Sequence, residues 1–293
     1  MINAIFRFIR IIISLVASVA RITRTLMLLL NGCFLSRSFI ASIVAFAAIA
    51  ALPTMLPSLA QTTNSNELAE KLIAASEAGD FVEVVHLISL GANVNYINRH
   101  REFPLSAAAY GGHANIVHYL LMKGAVPDPN GNPGGHALIP ATLRGHLAAV
   151  KILVNQGADI NGYTCQGLAP LSAALLDAAD IEVVRYLLEN GADPNFPDAY
   201  GETPLSIAIR KGYINIARLL LGYGADANLY NSVLGEFPLT IAVKNGDLAM
   251  TKLLLTYGAD PYLADDSGFS PLDCAREIGL KDIIQTLKFT VIQ

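Results

Sequence analysis

The apolar positions fall in two short groups that recur along the chain. Within residues 202–228, Leu205, Ala208 and Ile209 stand at i, i+3 and i+4, and Ile216, Ala217, Leu220 and Leu221 make a second such face a few residues on. Thr203 ahead of Pro204 predicts a helix start, because a hydroxyl accepts from a free backbone N–H and proline suits the first helical position. Lys211-Gly212 ends this first helix. A second helix is predicted from about Ile214 to Leu221. Gly224 follows where a helix closes in the left-handed region, which glycine enters without a Cβ penalty. The Asp-, Asn-, Gly- and Pro-rich residues beyond it predict an extended turn or hairpin. Helices this short are marginal alone in water, so each pair needs a neighbour to stack on.

Those neighbours are present. Gly-Ala recurs at Gly91, Gly124, Gly157, Gly191, Gly224 and Gly258, in steps of 33, 33, 34, 33 and 34 residues. Val84/Leu87/Ile88, Val117/Leu120/Leu121, Val150/Leu153/Val154 and Val184/Leu187/Leu188 hold the same offsets from their glycines. A period of this size marks a stacked repeat array. Such an array offers one long surface of equivalent positions instead of a single pocket.

Six units close in phase, at Gly91 to Asn95, Gly124 to Asp128, Gly157 to Asn161, Gly191 to Asn195, Gly224 to Asn228 and Gly258 to Pro261. Five open with Pro-Leu, at Pro104, Pro170, Pro204, Pro238 and Pro271. Together these motifs resemble the ankyrin repeat family over about residues 66–290. The resemblance implies an all-α solenoid of about seven helix-turn-helix units with β-hairpin-like turns. It also implies a monomeric, non-catalytic module without cofactor or metal that binds another protein, here one of the envelope or a secreted one, with a secreted effector of host proteins or a regulatory subunit of an envelope enzyme as the alternatives.

The departures from the family pattern carry their own expectations. Ser106, Ser172, Ser206, Thr240 and Asp273 replace the family's His after Pro-Leu, and a hydroxyl there is expected to bond a neighbouring turn with a looser tie. In the third unit Ala137 replaces the proline and Pro140 falls inside the first helix, while Pro127 to Gly135 predicts an irregular loop. The fourth unit has an extra residue and no glycine between its helices (Leu176 to Asp180). The first unit, from Asn66, lacks the Pro-Leu opening, and the last, from Asp265, lacks the Gly-Ala close. Atypical ends are expected of units that face water on one side.

The first 60 residues differ. They hold Arg7, Arg10, Arg21, Arg24 and Arg37, no acid and no lysine, with apolar runs from Phe8 to Ala20 and Phe39 to Leu52. Ser58-Leu59-Ala60 offers small residues for a signal peptidase, and residues 61–65 read as a polar linker. This resembles a bacterial secretory signal with a long basic lead, cut after Ala60, which makes the product periplasmic or secreted. Two alternatives stand: an uncleaved anchor over 39–56, short against the roughly 20 residues of a full span, or a start at Met27. Leu30 to Cys33 resembles a lipoprotein cleavage site only faintly.

The chain's 20 basic and 24 acidic residues give a net charge of −4. Loss of residues 1–60, with five arginines and no acid, leaves 15 against 24, net −9. An array this acidic excludes nucleic acid, whose phosphates need basic contacts. Cys165 and Cys274 lie three units apart, roughly 25–30 Å at a helix spacing of 8–10 Å, well beyond disulfide reach. Cys274 occupies a small core position.

No nucleophile elbow, zinc-protease histidine pair, phosphate loop or Cys-x-x-Cys occurs. His113 and His146 sit in structural Gly-His pairs. Asp193, Asp226 and Asp260 recur in step, but about one repeat apart, which is too far for paired-carboxylate chemistry. What remains is surface. Tyr96, Tyr163, Phe196, Tyr200, Tyr230 and Tyr262 gather near the turns, and such residues anchor interfaces or hold adjacent hairpins together. Arg144, Arg210, Lys211 and Lys244 end first helices. With Arg99, His100 and Arg101 they could meet an acidic protein partner or stay solvated. Tyr96, Arg144, Tyr163, Phe196, Tyr200, Arg210, Lys211, Tyr230 and Tyr262 are therefore the candidate protein-binding residues.

Overall fold

The computed structural model describes residues 65–128, 137–164, 167–198, 201–232 and 235–290. The chain divides into two units, 1–65 and 66–293, and all the described residues except Ser65 lie in the second. The leader, most of the linker, the loop over 129–136, Cys165 and Tyr200 fall outside them.

Among the described residues there are fourteen helices in seven pairs and no strand. The first pair is α1 (65–78) and α2 (Phe81–Ser89). Next come α3 (Pro104–Tyr110) with α4 (Ala114–Met122), then α5 (Leu138–Leu143) with α6 (Leu147–Asn155). The fourth and fifth pairs are α7 (Pro170–Leu176) with α8 (Ile181–Glu189), and α9 (Pro204–Arg210) with α10 (Ile214–Gly222). The array closes with α11 (Pro238–Lys244), α12 (Leu248–Thr256), α13 (Pro271–Ile278) and α14 (Lys281–Thr290).

From α3 onward, each first helix packs on the first helices of the flanking pairs and on its own partner, and the second helices stack likewise. The first helices are the deeper layer. Every residue from Pro204 to Ile209 is buried, as is every residue from Pro238 to Val243. Full burial of one such leucine or isoleucine contributes about 1.5–3 kcal/mol, and a helix of seven residues holds only because both flanks supply that burial.

Hydrogen bonds then lock one pair to the next. At the base of the turns a side-chain ladder runs along the stack. Asn95 donates from Nδ2 to Gly124 O (2.9 Å) and accepts from Val126 N (2.9 Å). Asn161, Asn195 and Asn228 repeat both bonds onto Gly191 and Asp193, Gly224 and Asp226, and Gly258 and Asp260. The in-step aspartates each cap their own turn, Asp226 Oδ1 accepting from Asn228 N at 2.8 Å. The second unit breaks the pattern: Asp128 stands in place of asparagine, accepts from Asp159 N at 2.7 Å and has no amide to donate onward.

On the opposite edge, His113 Nε2 donates to Glu77 O (2.9 Å) and His146 Nε2 to Tyr110 O (3.0 Å), so both histidines are structural. The fit there is tight. Gly112 lies at φ +75°, and a Cβ on it would come within 2.6 Å of the His146 ring.

The hydroxyl expectation is overturned. Ser106 and Ser206 bond back to Phe103 and Thr203 of their own helix start, because the third helical position lies over the N-cap. Ser172 and Thr240, whose N-caps are Ala169 and Phe237, are buried with no side-chain partner among the described residues. In the third unit Pro140 falls inside α5, which is only six residues long. Where the fourth unit lacks glycine, Ala179 itself takes a left-handed φ of 46°. Cys274 is buried and free.

Candidate functional site

Each turn rises from the ladder to a tip and returns to the next first helix. The return is a backbone bond from the rising arm, as from Asn98 N to Glu102 O (2.9 Å) and Asp198 N to Glu202 O (3.0 Å). In the sixth unit the bridged pair, Asn231 and Glu236, is separated by four residues instead of three, which accounts for its extra residue. These arms carry the aromatic candidates, and most of them touch the neighbouring turn or repeat.

Tyr96 donates from its hydroxyl to Glu70 Oε1 of the first unit at 3.1 Å. Burial, then Glu70, pushes its phenol above the ordinary value. Tyr163 stacks on Phe196 of the next turn with centroids 5.6 Å apart and planes 29° apart. Tyr230 donates to Asp266, whose carboxylate chiefly pushes the phenol up to about 12, and its ring lies 5.1 Å from Phe237. Of the aromatic candidates that are described, Tyr163 and Tyr262 are the most open, 51% and 58% exposed.

The cations are mostly paired. Arg144 reaches forward to Asp177 (2.9 Å) and lies 5.1 Å over the Tyr110 ring behind it. Arg210 grips Glu202 with two nitrogens at 2.8 and 2.9 Å, and that carboxylate raises its guanidinium further. Lys244 meets Glu236 (2.7 Å) and Asp265 (3.2 Å). Burial opposes its charge, but the two carboxylates prevail and its ammonium is raised. Asp265 is also pushed up by burial, yet the Phe269 amide and Lys244 outweigh that and hold it below the ordinary value. Lys211 is exposed. At the second tip Arg99 Nε donates to His100 (3.1 Å), and Arg101 takes a left-handed φ of 65°.

The structure thus brings Tyr163 with Phe196, Tyr230 with Asp266 and Arg144 with Tyr110, each pair spanning two repeats. It does not gather the candidates into one pocket. No group of three metal-ligating side chains occurs among the described residues, and no helix there is long and apolar enough to cross a membrane.

Sequence reasoning missed a second set of exposed apolar residues at the ends of the second helices: Leu90, Met122, Val126, Tyr223 and Tyr257. Their signal was available. Met122 follows the Val117/Leu120/Leu121 face but is itself 72% exposed, and Val126 stands two residues after its glycine, where the first unit holds Asn93 and the four later ones hold aspartate.

The model of the family described as "Ankyrin repeats (3 copies)" matches residues 72–164, 161–231 and 223–290. The mouse (Mus musculus) "Ankyrin repeat and SAM domain-containing protein 6" is 35% identical over 130 residues, covering 42% of this chain. The Caenorhabditis elegans "Ankyrin repeat and KH domain-containing protein mask-1" is 34% identical over 112 residues, covering 37% of this chain. The matches span only 14% and 4% of those two proteins' lengths. A solved ankyrin repeat domain from Acinetobacter baumannii AYE is similar in structure, with a TM-score of 0.59 and 30% identity over 64% of this chain and 97% of its own.

Proposed function

The chain belongs to the ankyrin repeat family, and from that premise we propose that it is an exported binding scaffold whose turns and first-helix ends dock an envelope or secreted protein. Ankyrin repeats generally mediate protein–protein interaction. The observation that carries the reading here is Tyr163, half exposed yet held flat on Phe196 of the next turn. An aromatic fixed in place before its partner arrives loses little freedom on binding. Tyr262 and Lys211 extend the same kind of open position to other units. The basic, acid-free first 60 residues support export, with Ala60 as the cleavage point and retention through 39–56 as the alternative. In a secreted setting the same surface serves to engage host proteins.

Two measurements test this. Cell fractionation should find the chain outside the cytosol, and an intact, cytosolic protein ends the export reading. Capture experiments should show Tyr163→Ala with Tyr262→Ala losing a partner that the parent retains. Equal capture by both would remove the aromatic docking role. Tyr230→Ala is a poor choice for that test, since it also removes the contact to Asp266.

A further inference from the structure

The left-handed glycines of the Gly-Ala pairs, Gly91, Gly124, Gly157, Gly191, Gly224 and Gly258, line a bare ridge where each second helix hands over to its turn. Among the described residues, no neighbouring atom stands within 4 Å of where a Cβ on them would project. The ridge changes chemistry along its length. At its first end Leu90, Met122 and Val126 are exposed. From the third unit onward, Asp159, Asp193, Asp226 and Asp260 occupy the place of Val126 and are exposed as well. Tyr223 and Tyr257 stand beside two of them as the C-caps of α10 and α12, 42% exposed each.

Three further facts give this acidic end a direction. The negative ends of the helix dipoles of α6, α8, α10 and α12 all meet it, and none of these helices has a basic residue in its last turn. The nearest cations on those helices, Lys151, Arg185, Arg218 and Lys252, stand at the fifth position, a turn before the last residue. Among the described residues, no cation pairs with Asp193, Asp226 or Asp260. Nor does the turn require the charge. In the first unit neutral Asn93 makes the same bond, accepting from Asn95 N at 2.9 Å.

We propose that this ridge is a second docking surface, distinct from the turn tips, for an extended protein segment that is apolar at one end and cationic along the rest. Charge complementarity selects the occupant: arginine or lysine meets the aspartates and helix ends, and Tyr223 and Tyr257 offer ring faces to the same cations. The apolar end of the segment covers Leu90, Met122 and Val126. Repeats about 10 Å apart match three residues of extended chain at about 3.3 Å each, so the cations recur at every third position.

The test uses the full chain and a fluorescent peptide of roughly 18 residues, three residues of extended chain for each of the six ridge positions. The peptide carries leucine and then arginine at every third place, with serine between. Binding read by anisotropy should weaken about tenfold or more in Asp193→Asn/Asp226→Asn/Asp260→Asn, and likewise as salt is raised. Asparagine keeps the turns, as Asn93 does, and an unchanged circular dichroism melt confirms it. Met122→Ser with Val126→Asn should weaken binding through the leucine end alone. The proposal is overturned if a glutamate-for-arginine peptide binds as well, or if the asparagine variant binds the arginine peptide undiminished. The hairpin reading is untouched by either result, because none of its candidate residues is altered.

Discussion

At the residue scale, two positions work against the pattern around them. Asp128 sits where Asn95, Asn161, Asn195 and Asn228 each make two bonds to the next turn, and it supplies only the acceptor. Asp128→Asn should therefore gain a donor to Gly157 O and stabilise the protein by about 0.5–1.5 kcal/mol. A urea midpoint that stays put or falls would show that the ladder is not the cause. Ala179 holds a left-handed φ of 46° in the loop that lacks glycine. That conformation costs a residue with a Cβ roughly 1–2 kcal/mol, so Ala179→Gly should raise the midpoint as well, and a lower midpoint counts against strain at that position. Some of this scale was legible in the sequence. The left-handed glycines follow from their place after an apolar face. The fate of Ser172 and Thr240 was not legible, because a hydroxyl's partner depends on which N-cap residue lies beneath it.

At the element scale, the seam between the sixth and seventh units is the most electrostatic. Lys244 bridges Glu236 and Asp265, and Tyr230 reaches Asp266. Asp265 has a lowered folded value, so its contribution is complete above the ordinary carboxylate range near 3.8 and is lost as pH falls through the lower folded value. Lys244 and Tyr230 are raised, so theirs is complete below their ordinary values and lost as pH rises through the folded ones, about 12 for Tyr230. The urea midpoint of the seam, followed through α13 and α14, should thus fall toward both extremes. Asp265→Asn should flatten the acid limb while leaving the alkaline fall from Tyr230. An acid limb that persists in that variant assigns it to other groups. The helices themselves were legible from spacing and Pro-Leu starts. These ion pairs were not, since Glu202 to Arg210 and Glu236 to Lys244 each run from the residue ahead of an N-cap to the last residue of the same short helix, beyond the three- and four-residue spacings at which helical side chains ordinarily pair.

At the scale of the whole array, every tie between units among the described residues runs to an adjacent one, so stability is a sum of local terms. Asn195 is the rung between the fourth and fifth units, and Asn195→Ala removes two solvent-exposed bonds, about 1–3 kcal/mol together. The expected result is a broadened or split unfolding curve, with the flanking units melting separately. A single transition merely shifted downward would mean that helix packing alone carries cooperativity. The seven-pair architecture was legible because six in-phase glycines leave little freedom. The docking surfaces were only partly so. Exposure of Tyr163 and burial of its neighbours depend on how turns lean on one another, which a one-dimensional pattern does not encode.

Both 34-residue units carry their additional residue in a connection, one between the helices near Ala179 and one between Asn231 and Glu236. Neither falls between a glycine and its asparagine. Length is therefore negotiable at the margins of a module and forbidden in its hinge-post, where a single insertion would throw every later rung out of step. A lineage of such chains can lengthen or shorten by copying or deleting whole modules, and can remodel its tips freely, without ever having to redesign an interior.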